Sequence, residues 1–468
     1  MANSMANVVN VFWLRLLENN PYMKIKSLLL IIIVFTFLKC SNSWVKQDYS
    51  GIIINQKDSL SVSMIDSIKS IQQIHPNLTN LSSEKLDSLF NNLYNNNEGK
   101  LLSVSELIQE LRTVTDTFTY NDPHFMIVPR LQLKNGYDID KIRVLPFEII
   151  NVNDTILISK TYNNSLKKGD RILEINNIDI DNFLKKMYFN RRHFPAYLLQ
   201  AQNDFIFSPK YYLKIVRANK QSFISVNGLA LEKYGLGESF VSDKLFKKER
   251  VGYFRINQFQ NNKFIVSSFR KHIDKVKALG YKDVIIDIRN NSGGSGAMFD
   301  ELLSIFSDKD SLSIMKSQKL KVSDVSVNDY SIFNDSLGRL VDIPDSLIYN
   351  RLPLDSEKYM GKLNYYVLID KTTASTASSF ANILQFNNLA LLVGEPLNYN
   401  ATKYGDIVIK RIFGMNTTIS TMEYNEYTKS TNGIVKPDIY IPYTASNIMK
   451  GEDSMLDELL EYILKNSK

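Results

Sequence analysis

Hydrophobic positions change their spacing along the chain, and the changes divide it into parts. From Ser59 to Asn95, Leu60, Met64, Ile65, Ile68 and Ile71, then Leu86, Leu89, Phe90 and Leu93, recur at helical intervals, and 101–111 continues the pattern. A small helical region is expected there. Phe147–Ile150 and Thr155–Ser159 read as strands, with a turn at Asn163–Asn164. Helical spacing from Ile180 to Met187 and a strand over Lys210–Val216, the last of this module, complete the middle part. Lys220–Lys247 reads as a connector. From Val251 the pattern changes again. Val251–Ile256 is a strand. Phe264–Leu279 is a helix with Phe264, Ile265, Phe269, Ile273 and Val276 on one face. Gly280 caps it, and Val284–Ile288 is a β-branched run of the kind buried on both faces of a sheet. Strand, helix, strand is a βαβ unit, so the sheet is at least partly parallel. Ser307–Leu354 is polar and reads as an irregular surface excursion. Tyr365–Ile369 is the next buried strand, and Ala390–Pro396 a further strand with a turn.

Two breaks in this pattern carry candidate chemistry. After Ile288 the chain runs Arg-Asn-Asn-Ser-Gly-Gly-Ser-Gly, and helical spacing resumes over Met298–Phe306. Glycines at the carboxyl end of a buried strand permit a sharp turn and a close approach. Binding crevices of open α/β sheets lie at that end. Two glycine N–H groups there can hold a phosphate or an oxyanion. The stretch fits neither the dinucleotide fingerprint nor the P-loop. About 80 residues on, Ile369 is followed by Asp-Lys-Thr-Thr-Ala-Ser-Thr-Ala-Ser-Ser and a helix through Phe380, Ile383 and Leu384. A serine there sits in the positive field of the helix start, although Ser and Thr at such places usually cap. A third place is Asp122-Pro123-His124, a turn that delivers a histidine to the start of a strand. Histidine is the commonest base near neutral pH. His75, before Pro76, and His193, in a basic aromatic helix-loop, are expected at the surface; His272 lies within the Phe264–Leu279 helix.

Composition narrows the choices. The chain has 468 residues, 44% hydrophobic, 22% charged and 11% aromatic, ordinary for two or three globular domains. The 56 Lys and Arg against 49 Asp and Glu leave +7 spread without a basic block, so nucleic-acid binding is not expected. One cysteine, Cys40, precludes an internal disulfide or cysteine metal site, and four histidines without H-E-x-x-H argue against zinc. No metal or nucleotide cofactor is implied.

Near the amino end, Met23-Lys24-Ile25-Lys26 is a short basic region followed by the 12-residue apolar run Ser27–Leu38. That is the layout of an export signal and too short for a comfortable membrane span. Met23 is the more natural start of this signal. Phe37-Leu38-Lys39-Cys40 resembles a bacterial lipoprotein signal, which implies a lipid anchor on Cys40; Lys39 stands where that pattern has a small residue. Localisation in the cell envelope, periplasm or outer membrane, follows as an expectation.

Leu166–Asn177, LKKGDRILEINN, resembles the PDZ family, with Asn177 in place of its usual glycine. The two candidate breaks together resemble the tail-specific, or C-terminal processing, serine peptidases and their tricorn-core relatives. The residues that carry the resemblance are Asp287-Ile288-Arg289-Asn290-Asn291-Ser292-Gly293-Gly294, Thr373–Ala377, Val393-Gly394-Glu395-Pro396, and Gly433–Ile439 with the helical Asp453–Leu464. The resemblance implies an α/β catalytic domain, crotonase- or Clp-protease-like, beside a PDZ-like β-rich module and an N-terminal helical cap. The expected division is signal 1–40, tether 41–57, cap 58–117, His-bearing segment and PDZ-like module 118–220, and catalytic domain 245–468. It implies Ser375 as nucleophile and an oxyanion hole from the N–H groups of Thr376 and of Gly293 or Gly294. The Ser-Lys branch has a lysine where this chain has Asn400; Lys403 is the runner-up base. The tricorn-like branch has a histidine in an Asp-x-His motif, which His124 matches. Its orienting glutamate falls at Ser430, with Glu423 and Glu426 nearby. The implied function is an exported serine endopeptidase acting on protein or peptide. The alternative is an inactive peptidase-fold surface lipoprotein that binds peptides or glycans.

Overall fold

The computed structural model of the chain describes residues 52–53, 57–77, 83–97, 101–102, 104–119, 122, 124–128, 143–185, 193–195, 209–230, 233, 239–260, 262–297, 299–326, 336–344, 350–397, 403–412, 415–431 and 433–466. The expected export signal, Cys40 and Asn400 lie outside them. The principal elements in chain order are α1 (Lys57–Ile74), α2 (Ser83–Asn97), α3 (Val104–Thr119), β1 (Met126–Val128), β2 (Phe147–Val152), β3 (Thr155–Thr161), β4 (Arg171–Ile175), β5 (Lys210–Arg217), β6 (Lys220–Asn227), β7 (Val241–Phe246), β8 (Val251–Ile256), α4 (Asn262–Ala278), β9 (Asp283–Asp287), β10 (Met315–Lys321), β11 (Asn364–Ile369), α5 (Thr376–Phe386), β12 (Leu391–Gly394), β13 (Tyr404–Ile412), β14 (Met415–Glu426), β15 (Ile439–Tyr440), α6 (Ala445–Met449) and α7 (Ser454–Asn466).

The central sheet has six strands in the order β7-β8-β9-β11-β12-β15. β7 pairs antiparallel with β8, and every later pairing is parallel. All of β9 is buried, and alternation explains how. Val284 and Ile286 pack with Phe269, Ile273 and Phe380 from α4 and α5. Ile285 points to the other face, with Leu368 and Met455, Leu459 and Ile463 of α7. Each such residue contributes about 1.5–3 kcal/mol by leaving water. This is the α/β class expected from the βαβ spacing.

A second, antiparallel sheet is built on β14. β13 pairs along one side; β10 and β1 pair with its carboxyl and amino portions, and Leu340–Asp342 extends the sheet beyond β10. The expected surface excursion over 307–354 is therefore corrected. Leu312, Leu320 and Val322 are fully buried there, and β10 finds its partner in a strand about 100 residues away in sequence. The helix expected over Met298–Phe306 is confined to Phe299–Leu303.

A third sheet, antiparallel throughout, runs β6-β5-β4-β3-β2 with His193–Pro195 beyond β2. Two expectations change here. β5 is not the last strand, because Lys220–Asn227 returns as β6 across an Ala218–Asn219 turn with positive φ. His193 lies in a strand, not a helix-loop. Gly169 (φ +88) fits closely against a neighbour: a Cβ there would stand 2.5 Å from the carbonyl oxygen of Ile448 in α6. Ile448 joins Ile150, Val152 and Leu157 in one cluster, which ties this sheet to the carboxyl-terminal segment.

Candidate active site

β9 and β11 lie side by side, with Asp287 opposite Leu368, so their carboxyl-terminal turns meet. Asn291 and Asp370, both fully buried, knit the turns together. Asn291 accepts the Ala374 N–H on its carbonyl (3.0 Å) and the Gly293 N–H on Oδ1 (2.8 Å), and its Nδ2 donates to Ile256 O. Asp370 Oδ1 accepts the N–H groups of Asn290, Thr372 and Thr373. Thr373 Oγ1 donates to Ile288 O, and Thr376 Oγ1 to Gly294 O at 2.6 Å.

Ser375 is the N-cap residue of α5, with φ 54° and ψ −131°. For a residue with a Cβ this is a sparsely populated conformation, costing on the order of 1–3 kcal/mol. Its side chain makes no capping hydrogen bond, so the hydroxyl is left out of the helix start. Gly293 (φ +95) explains why a glycine stands opposite. A Cβ there would come within 2.7 Å of Ser375 Cβ and 2.9 Å of Thr376 N. Gly294 is equally confined, since its Cβ would meet Phe259 O at 2.1 Å. The structure thus brings together Ser375, Thr376, Gly293 and Gly294 of the expected site. The Gly293 N–H is taken by Asn291, whereas the Gly294 N–H has no acceptor among the described residues.

A charged network braces the glycine turn from below. Arg289, nearly fully buried, donates through Nε to Asp287 Oδ1 (2.9 Å) and through Nη2 to Asp287 Oδ2 (2.7 Å). It also donates to both oxygens of Asp453, at 2.7 and 2.8 Å. Arg255 Nη1 and the Tyr253 hydroxyl add two more bonds to Asp287 Oδ2. Burial pushes the Asp287 carboxyl up, but the Arg255 and Arg289 charges outweigh it and hold the group well below the ordinary aspartate range.

His124 belongs to a second cluster. Its carbonyl accepts from Thr418 Oγ1 of β14. Its backbone N–H donates to Asp122 Oδ1 (2.8 Å), and its Nδ1 lies 3.3 Å from the same oxygen, in ion-pair range but out of line for a hydrogen bond. The other oxygen, Oδ2, accepts from His75 Nε2 at 3.1 Å. His75 is fully buried, which corrects the expectation of a surface residue. Its partner lies 47 residues along the chain, and a His-Pro pair alone reads as exposed loop. Burial pushes Asp122 up, but the contacts with His124 and His75 outweigh it and hold the carboxyl below its ordinary range.

Lys403 is part exposed, 3.5 Å from Glu423 and over the Tyr404 ring at 4.9 Å. Burial lowers its pKa, but Tyr404 and Glu423 outweigh that, and the net shift is upward. Glu426, which the sequence left unassigned, accepts from Ser379 Oγ and Asn382 Nδ2 of α5. It lines a small cleft with Lys316, Asn382, Thr428, Ser430 and Gly433. Ser375 Oγ makes no hydrogen bond to His124 or Lys403 among the described residues. β14 links the clusters, since Thr418 holds the His124 carbonyl and Glu426 holds the first turns of α5.

Comparison with known proteins agrees with this architecture. The profile of peptidase family S41 matches residues 250–441. A carboxyl-terminal-processing protease of a Picosynechococcus species is 26% identical over 213 residues, which is 43% of this chain and 42% of that protein. The chain thus matches about two fifths of the length of this curated relative. Mature CPAF superposes with a TM-score of 0.59 at 17% identity, covering 87% of this chain and 98% of that one. The structure of mature CPAF with lactacystin gives 0.58 at 17% identity, over 87% and 99%. At that identity the likeness speaks to the fold.

Proposed function

Residues 250–441 form a peptidase family S41 domain, and from that premise we propose that the chain is an exported serine endopeptidase acting on protein or peptide substrates. Ser375 Oγ attacks the scissile carbonyl. His124 accepts the proton and returns it to the leaving amine. The Thr376 N–H and the Gly294 N–H receive the oxyanion, and Gly293 gives the room. One observation carries the reading: Ser375 is held at φ 54° with an uncapped hydroxyl, pressed against a glycine turn. Strain of this kind persists where the surroundings over-determine it, often at reactive centres.

His124 is preferred to Lys403 as base. A lysine serves as a base when its pKa is depressed, and Lys403 is shifted upward by Tyr404 and Glu423. The His124–Ser375 hydrogen bond forms in the Michaelis complex, as catalytic hydrogen bonds commonly tighten only there. Export and a lipid anchor on Cys40 complete the proposal; metabolic acyl labelling of the parent chain beside Cys40→Ala tests the anchor.

The missing contact between Ser375 and a base favours a second reading, an inactive scaffold that binds peptides or glycans. Casein turnover by the parent chain and by Ser375→Ala, His124→Ala and Lys403→Ala separates the two. The proposal expects loss with the first two and retention with the third. Absence of turnover in the parent, together with saturable peptide or glycan binding, supports the scaffold.

A further inference from the structure

We propose that Asp122 is the positioning acid of His124, and that His75, reaching in from the end of α1, holds Asp122 in place. A buried His–Asp–His chain then takes the part of the orienting glutamate, whose expected position is Ser430. The inference rests on the reading of His124 as the base.

The Asn77 N–H donates to His75 Nδ1 at 3.1 Å, so that nitrogen carries no proton. The His75 proton therefore sits on Nε2, aimed at Asp122 Oδ2 at 3.1 Å. Both side chains are fully buried, so the carboxylate cannot turn to water. Its other oxygen is left for His124, taking the backbone N–H at 2.8 Å and standing 3.3 Å from Nδ1. His124 Nδ1 is buried, while the ring as a whole keeps 18% exposure. The accessible part of the imidazole therefore lies away from Asp122. A carboxylate on the Nδ1 side selects the Nδ1–H tautomer and leaves Nε2 free to take a proton.

Other candidates for the orienting role are occupied. Glu426 has its two oxygens engaged by Ser379 and Asn382, and Glu423 is paired with Lys403. Among the described residues, the charged and titratable groups facing Asp122 are His75 from the end of α1, His124 from its own turn and Tyr404 from β13. Lys403 lies over the Tyr404 ring and pairs with Glu423, and the Tyr404 ring centroid is 5.0 Å from that of His75. The two histidines meet opposite oxygens of Asp122, an arrangement that orients rings instead of converging on a metal.

Two measurements test this. Histidine-specific 15N NMR of the full chain, assigned with His75→Gln and His124→Gln, should find His124 as the Nδ1–H tautomer and His75 as Nε2–H. In Asp122→Asn, His124 should lose that preference. A parental His124 in the Nε2–H form overturns the proposal whether or not the chain turns over substrate. In kinetics, Asp122→Asn should lower kcat by about 10³–10⁴-fold with KM little changed. His75→Leu should cost about 10–100-fold in kcat, the worth of one hydrogen bond to a charge, and His75→Gln, which keeps a donor, should recover most of it. If Asp122→Asn keeps the parental kcat and the Nδ1–H tautomer of His124 while His124→Ala abolishes turnover, Asp122 has no such role and the base assignment stands. If His124→Ala turns over normally, the base assignment itself has failed.

Discussion

At the scale of single residues, the site depends on where a Cβ is tolerated. Ser375 carries one at φ 54°, and glycine would occupy that conformation without strain. Ser375→Gly should therefore abolish turnover and raise stability by about 1 kcal/mol, measured by denaturant unfolding. Unchanged or lower stability would mean the conformation is not strained. Gly293 has the opposite constraint: alanine would bring its methyl to 2.7 Å from Ser375 Cβ and 2.9 Å from Thr376 N. Gly293→Ala should cut kcat by about 10²-fold or more, as displacement of an oxyanion donor does, even where the protein remains folded. The two turns were legible in the sequence because breaks after buried strands are local signals; Ser375 is singled out among its neighbouring serines only by the family resemblance. Asn291 reads in the sequence only as one position of a motif. Its role shows once Gly293, Ala374 and Ile256 are seen around one buried amide. His75 and Asp122 were illegible as a pair because nothing local joins residues 47 apart.

At the scale of elements, the strand end at Asp287 is held by charge as well as by packing. Removing Arg289 leaves Asp287 buried with Arg255 and Tyr253 alone. Arg289→Leu should destabilise the fold by about 3–5 kcal/mol, the usual consequence of breaking a buried pair. The pH dependence follows from the direction of the shift. The folded-state pKa of Asp287 is depressed below the ordinary 3.8. Its contribution is therefore complete above that value and is lost as pH falls below it. In Arg289→Leu the folded pKa rises, and acid unfolding should begin at higher pH than in the parent; an unshifted acid transition would assign the stability elsewhere. Central strands buried on both faces were legible as apolar runs, as in Val284–Ile288 and Tyr365–Ile369, whereas β7, VSDKLF, lies within the stretch expected to be a connector. β10, MKSQKLK, was not legible. Its residues form no apolar run, and its pairing with β14 on one side and Leu340–Asp342 on the other makes it a strand.

At the scale of the whole molecule, the proposed base and nucleophile come from distant parts of the chain, and both of their neighbourhoods are held by β14, through Thr418 and Glu426. Parts outside residues 250–441 thereby enter the proposed chemistry: His75 follows the end of α1, and His124 lies in the turn before β1. The antiparallel sheet over β2–β6 is docked through Gly169 against α6. Gly169→Val should weaken that docking and split a single thermal transition into two by calorimetry; one unchanged transition would show that this close approach is not what couples them. The most direct measurement of the central claim is mass-spectrometric mapping of a fluorophosphonate adduct on the parent chain beside His124→Ala and Lys403→Ala. The account predicts an adduct on the peptide containing Ser375 in the parent and in Lys403→Ala, and little or none in His124→Ala. An adduct elsewhere, none in the parent, or one that depends on Lys403 and not on His124 would contradict it.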